Sequence, residues 1–307
     1  MSERLSESQM SKAFLKWAGG KTKLVPFIKA HLPAHFLDNK TNKRLIEPFA
    51  GSASVSLLLD FDEYLLNDSN VDLINLYKVL AEQKQEFIAY AKSYFCEKNN
   101  QERRFYELRD EFNNSDDIIK KSALFIYLNR HAFNGLCRYN KKGGFNVPFG
   151  RYKSPYFPKD ELLNFVDKSS RMRFFCGDFA KMFDFIDSND VIYCDPPYMP
   201  LSETASFASY AKDGFNFDDQ MRLANLAQDF CYKAQAILIS NHDTKQTRNL
   251  YQGAIIKTVQ VQRNIAAKAS SRQKVGELLA IYKKNNIRKN NDNRLSIMST
   301  NWLNQPF

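Results

Sequence analysis

Val191-Ile192-Tyr193-Cys194-Asp195-Pro196-Pro197-Tyr198 is the stretch on which the fold turns. Its first four residues read as a short strand buried on both faces, the kind found in parallel sheets. Ligands of such sheets bind beyond the carboxyl ends of the strands, so Asp195 is expected in the binding crevice. The two prolines hold the chain extended and offer no N–H of their own, which leaves oxygens of Asp195 and Pro196 free of local turn bonding. Two acceptors facing one ligand suit an exocyclic amino group, one oxygen for each N–H. Accepting both bonds localises the nitrogen lone pair and makes it more nucleophilic. Tyr198 adds a flat face on which a ring can stack. Taken alone, the same residues also fit a strand followed by a Pro-Pro turn with an incidental carboxylate.

Toward the amino terminus, Leu45-Ile46-Glu47-Pro48-Phe49-Ala50-Gly51-Ser52-Ala53 reads as a strand and a tight small-residue turn, with a helix beginning near Ser54. Small residues there let the backbone approach a ligand at the helix amino terminus. About twenty residues on, Tyr64-Leu65-Leu66-Asn67-Asp68 is a second strand ending in a carboxylate, the position that holds ribose hydroxyls in nucleotide-binding βα units. Together they describe a nucleoside-containing cofactor. The sequence has neither G-x-G-x-x-G nor G-x-x-x-x-G-K-[ST], which makes a phosphate-centred ligand the poorer fit.

Further strands are expected at Arg173–Cys176, Ala236–Ser240, Ile255–Gln262 and Leu278–Lys283. Between Val71 and Tyr127 the period becomes helical: Leu73, Leu76, Tyr77 and Leu80 share one face, and Leu124, Tyr127, Leu128 and His131 another, with Asp116 as N-cap of the latter helix. The expected fold is α/β: a Rossmann-like, mostly parallel sheet with one antiparallel strand, interrupted by a mainly helical insertion. The boundaries follow as a discontinuous domain of residues 12–70 and 159–284, an inserted domain of 71–158, and tails of 1–11 and 285–307 that lack periodicity and read as disordered.

The 307 residues carry 44 Lys and Arg against 34 Asp and Glu, a net charge of +10 that favours a polyanionic partner. Five cysteines, widely spread and without C-x-x-C, indicate neither a disulfide framework nor a zinc site, and suit a reducing cytoplasm. No run approaches the ~20 apolar residues of a membrane span, and Met1–Ser11 lacks the apolar core of a signal peptide. No metal or membrane is therefore expected, and a monomer is the default.

Phe14-Leu15-Lys16-Trp17-Ala18-Gly19-Gly20-Lys21, then Glu47 to Gly51, then a long insertion, then Asp195-Pro196-Pro197-Tyr198, resembles the S-adenosylmethionine-dependent DNA adenine-N6 methyltransferases. Within them the chain is most similar to the Dam type of the D12 class, which modifies GATC. The resemblance spans about residues 12 to 283, including Asn129 to Asn140, Phe145 to Tyr152 and Leu238 to Asp243. It implies methyl transfer from S-adenosylmethionine to N6 of an adenine flipped out of double-stranded DNA. It also implies cytoplasmic, nucleoid-associated work in mismatch-repair strand marking, replication and gene regulation.

The resemblance carries roles onto single residues. Trp17, Lys21, Phe49 and Asp68 are assigned to the cofactor, and Asp195, Pro196 and Tyr198 to the base and the chemistry, with Asp195 also beside the cofactor. Asp178 could face the cofactor adenine. In the insertion, the family position of Arg138 reads a guanine, those of Leu136 and Pro148 touch a thymine methyl, and that of Phe133 inserts into the duplex with Asn134 beside the orphaned base. Arg130 and Arg151 are assigned to phosphates. By composition alone this stretch also fits a solvated basic loop over core aromatics, and Trp17 a core ring. Ala53 departs from the family, which has glycine there; its methyl group could weaken cofactor binding or shift the turn unless φ is negative.

Two other classes compete. A protein-glutamine or RNA N-methyltransferase usually carries Asn at the position of Asp195 and lacks the insertion. A non-enzymatic DNA-binding module has no need of Trp17, Lys21, Asp68 and Asp195 together. His131 and His242 are read as structural or recognition residues, since attack on a sulfonium methyl calls for orientation more than for a strong base.

Overall fold

The structure is a computed structural model that describes residues 12–36, 43–199, 214–262 and 274–283. The expected tails lie outside these residues. The chain divides into two compact units, one containing the described residues 12–31 and 44–181, the other 32–36, 43 and the described residues from 182 onward.

The first unit is built on three parallel strands. β1 (Arg44–Glu47) pairs with β2 (Glu63–Asp68), and β2 pairs with β3 (Met172–Cys176), in register Leu45 to Tyr64 and Leu66 to Phe174. The parallel arrangement brings the ends at Glu47, Asp68 and Cys176 to one edge, where α/β sheets take their ligands. Helix α1 (Val25–Ala30) precedes β1, and the short α2 (Ser54–Leu58) follows it. The buried Glu47 carboxylate fixes that turn, accepting the Ser56 amide at 2.9 Å and the Ser56 hydroxyl.

Between β2 and β3 come α3 (Val71–Ser93), α4 (Glu102–Asn114), α5 (Ile118–His131) and α6 (Lys159–Ser169). Leu73, Leu76, Tyr77 and Leu80 are buried, as their spacing predicts, and α3 is broken at Lys84, where φ is +51°. The N-cap of α5 is Asp117 and not Asp116: Asp117 Oδ1 accepts the amides of Ile119 at 2.9 Å and Lys120 at 3.0 Å. The helix starts one residue later than expected because a cap must sit directly before the first helical turn. α5 packs against both α3 and α4 and is buried from Ser122 to His131 on every face.

The second unit carries β4 (Asp190–Cys194), parallel to β5 (Ala236–His242), then β7 (Lys274–Tyr282) antiparallel to β5 and β6 (Ile255–Gln262) antiparallel to β7. β4 is buried throughout, as its apolar run predicts. Helix α7 (Phe217–Phe230) opens with a reciprocal cap between Asn216 and Asp219, and α8 (Lys245–Leu250) opens with one between Thr244 and Thr247. β5 runs two residues beyond Ser240 because Asn241 pairs with Leu278 and His242 with Glu277, and β7 starts four before Leu278 because Lys274 to Gly276 pair with Gln262 to Gln260 of β6. Lys283 lies just past the end of β7.

Candidate functional site

In the first unit, Gly51 is the centre of the residues expected at the cofactor. Its amide donates to Asp68 Oδ2 at 2.9 Å, and its carbonyl accepts the Tyr77 hydroxyl. A Cβ at Gly51 would stand 2.8 Å from Trp17 Nε1, and φ is +48°, so only glycine fits beside the indole. Trp17 begins a turn in which Gly20 N donates to Trp17 O at 3.1 Å and Gly19 takes φ +79°. Lys21 closes on the same feature: its amide donates to Ser54 Oγ at 3.2 Å and its ammonium to Gly19 O at 2.5 Å. Trp17, Lys21, Gly51 and Asp68 are thus brought together, while Phe49 lies on the Gly51 turn with its ring stacked on Phe179 at 5.1 Å.

Asn67 assembles this edge, although the motifs do not mark it. Its side-chain amide spans the three strand ends, donating to Pro48 O at 2.9 Å and Gly177 O at 3.1 Å. Asp68 Oδ1 accepts the Asn70 amide at 2.9 Å, and burial pushes the Asp68 carboxyl upward against these backbone donors. Asp178 is exposed and caps Ala180 N at 2.9 Å. The small-residue turn, with a carboxylate fixed on its amide and a flat indole against it, fits an adenosyl group with ribose hydroxyls. Ala53 takes φ +54° and ψ +27° and is fully buried, so the backbone adopts the glycine conformation in spite of the methyl group.

In the second unit, Asp195 is half-buried at the end of β4, Pro196 is buried and Pro197 exposed. The loop is held from below by side chains of α7 and β5. Gln220 Nε2 donates to Pro197 O at 2.7 Å and the Met199 amide to Asn241 Oδ1 at 3.2 Å. Asn241 in turn donates to Gln220 Oε1 at 3.2 Å and to the Tyr251 hydroxyl at 3.0 Å. Tyr198 donates to Glu277 Oε2 at 3.1 Å and meets His242 edge-on at 4.7 Å, which fixes the plane of its ring. His242 is therefore a packing partner of Tyr198. Gln220 and Glu277 lie outside the sequence motifs, and Asn241 lies in the Leu238 to Asp243 stretch without a role legible there; the polar Asn241-His242 pair at the end of an apolar strand is the available signal.

The expected DNA-recognition residues lie in a folded loop of the first unit. Phe133 N donates to Pro148 O at 2.8 Å, Asn146 N to Arg138 O at 3.0 Å and Gly150 N to His131 O at 2.8 Å, so the segments 132–139 and 145–150 run side by side. Phe133 is half exposed, Asn134, Arg138 and Pro148 are exposed, and Leu136 is intermediate. Asn134 takes φ +54° and donates its amide to the Tyr152 hydroxyl at 3.0 Å. Lys16, which the Phe14 to Lys21 motif contains but to which it gives no role, joins the loop with its ammonium 4.4 Å from the Tyr152 ring. The Asn129 side chain holds the Lys16 backbone at both N (2.8 Å) and O (2.7 Å), one residue before Trp17.

The two arginines assigned to phosphates part company. Arg151 is exposed, with a 3.4 Å surface pair to Glu102, and is available to a ligand at little cost. Arg130 is 8% exposed, donates to the Phe14 carbonyl and lies 5.5 Å from the Tyr156 ring. Its guanidinium ties the amino-terminal segment to α5, which is buried along Ser122 to His131.

Among the described residues no group of three or more His, Cys, Asp or Glu could hold a metal ion, and no helix is long and apolar enough to cross a membrane. A family model described as D12 class N6 adenine-specific DNA methyltransferase matches residues 17–265. Similar proteins include a DNA adenine methylase of Vibrio cholerae, 50% identical over 272 residues, covering 88% of this chain and 96% of the relative. One of Serratia marcescens is 47% identical over 274 residues (89% and 99%), and one of Escherichia coli K12 is 45% identical over 273 residues (89% and 96%).

Proposed function

The chain belongs to the D12 class N6 adenine-specific DNA methyltransferases and takes its methyl group from S-adenosylmethionine, and from that premise we propose that it modifies the adenine of GATC in double-stranded DNA. The observation that carries this reading is the exposed set Phe133, Arg138 and Pro148 on one folded loop, with Leu136 between them, in a segment that resembles the Dam type.

The work divides among residues as follows. Trp17, Lys21, Phe49 and Asp68 hold S-adenosylmethionine, with the Asp68 carboxylate on its ribose. When bound, that group supplies a sulfonium methyl with a good leaving group. Asp195 and the Pro196 carbonyl accept the two N6–H bonds, Tyr198 stacks on the adenine, and the Gln220–Asn241 network keeps the loop in place while N6 attacks. The adenine reaches that site by flipping, at a cost of a few kcal/mol, and Phe133 fills the gap it leaves. Arg138 reads a guanine by a bidentate contact, Leu136 and Pro148 meet the thymine methyl, Asn134 stands by the orphaned base, and Arg151 holds a phosphate. Residues 71–158 are the recognition segment in this reading, and the enzyme acts as a monomer on the nucleoid in strand marking, replication and gene regulation.

Methyl transfer from tritiated S-adenosylmethionine to two duplexes, one with GATC and one with its letters scrambled, tests the specificity. Incorporation into the first alone is expected. Equal incorporation into both would remove GATC from the reading.

A further inference from the structure

Arg138 sits between two side chains that dock on the first turn of α3. Asn70, the N-cap of that helix, donates from Nδ2 to Cys137 Sγ at 3.9 Å and accepts the Leu73 amide at 3.1 Å. Two residues on, Asp72 Oδ2 accepts the Tyr139 hydroxyl at 2.9 Å, and its other oxygen pairs with Lys121 of α5 at 3.0 Å. The Tyr139 ring stands edge-on to Phe145 at 5.9 Å, and Tyr139 and Phe145 form an isolated antiparallel bridge. In extended backbone, alternate side chains point to opposite sides. With Cys137 and Tyr139 turned inward, Arg138 is turned out and is exposed. Asn146 holds it there, accepting from Nε at 2.8 Å and from Nη2 at 3.3 Å.

We propose that Tyr139, through its hydroxyl on Asp72, is a positioning residue for specificity: it sets the backbone from which Arg138 reads its base. This rests on the assignment of Arg138 to a guanine. The same helix turn begins two residues after Asp68, whose Oδ1 accepts the Asn70 amide, so the base-reading arginine and the cofactor carboxylate share one anchor. A bidentate guanidinium contact tolerates little displacement, and loss of one buried hydrogen bond beneath it is felt at one base pair alone.

The test compares kcat/KM on the GATC duplex with that on four sets of duplexes, each altered at one position, for the wild-type chain, Tyr139→Phe and Arg138→Ala. Tyr139→Phe keeps the ring and removes only the hydroxyl. It is expected to lower discrimination roughly three- to tenfold at the position that Arg138→Ala also relaxes, as suits one hydrogen bond. Discrimination at the other three positions, kcat on the cognate duplex and thermal stability are expected to hold. In an Asp72→Ala background, Tyr139→Phe is expected to have no further effect on that position. An even loss across all four positions, or a fall in kcat alone, would mark Tyr139 as merely structural and overturn the proposal. So would unchanged discrimination in Tyr139→Phe while Arg138→Ala relaxes one position, which leaves the reading of Arg138 standing. No relaxation in Arg138→Ala would overturn both.

Discussion

Asp68 Oδ2 accepts the Gly51 amide at 2.9 Å, so the carboxylate assigned to the cofactor ribose also fixes the turn over which the cofactor is to lie. The second oxygen is held by Asn70 N at 2.9 Å, and the carboxylate cannot rotate without breaking one of the two bonds. Asp68→Ala removes the ribose acceptor and the anchor together. The KM for S-adenosylmethionine is expected to rise about 10- to 100-fold, the worth of a charged hydrogen bond, with DNA binding retained. An unchanged KM would place the cofactor elsewhere.

Ala53 and Gly51 both have positive φ, but their tolerance of change is opposite. Ala53→Gly relieves about 1–2 kcal/mol of left-handed strain. It loses about 0.8 kcal/mol of buried methyl group and adds freedom to the unfolded chain. The net change in denaturant-unfolding free energy is expected to lie within about 1 kcal/mol of zero, with cofactor KM unaltered. Gly51→Ala forces a methyl group into Trp17 Nε1 and is expected to cost about 1–3 kcal/mol and to weaken the cofactor. If the two variants behave alike, the turn geometry is not what distinguishes them.

Arg151 and Arg130 separate in a salt titration of DNA affinity. Arg151→Ala is expected to flatten the slope of log K against log salt by about 0.9, one phosphate's share. Arg130→Ala is expected to leave the slope alone and to lower thermal stability, because the buried guanidinium holds the Phe14 carbonyl. A slope change for Arg130 alone would reverse the assignment.

His131 is buried against Tyr127, ring centroids 3.9 Å apart, and its Nδ1–H donates to the Tyr127 carbonyl at 2.9 Å. Burial pushes its pKa down to about 4. The folded state thus binds the proton less readily than the unfolded chain, so this contribution is complete above pH ~6.5 and is lost as pH falls toward 4. The loss is on the order of 3 kcal/mol, and a non-titrating His131→Phe variant is expected to show a correspondingly flatter stability curve between pH 4 and 6.5. Parallel curves would contradict the assignment.

Much of this was legible in the residues. The buried run of β4, the two carboxylate-ended strands and the helical period after Val71 lie where hydrophobic pattern puts them. What pattern misses is set by neighbours. Strand β5 takes in Asn241 and His242 because β7 offers partners, and a polar pair reads as loop until those partners are known. Charge suggests surface for Arg130, whereas the fold buries it against the Phe14 carbonyl and the Tyr156 ring. Asn67 and Asn241 lie within quoted motifs and Gln220 outside them, but their roles are not legible there, since they act on backbone carbonyls and amides that only the fold brings near.

Recovery of the methylated nucleoside from a GATC duplex, by enzymatic digestion and mass spectrometry, with the wild-type chain and with Asp195→Ala, tests the account most directly. N6-methyldeoxyadenosine is expected from the wild type and a loss of several orders of magnitude in Asp195→Ala, with duplex binding retained. Turnover near wild type in Asp195→Ala, or a methyl group on any other atom, would contradict it.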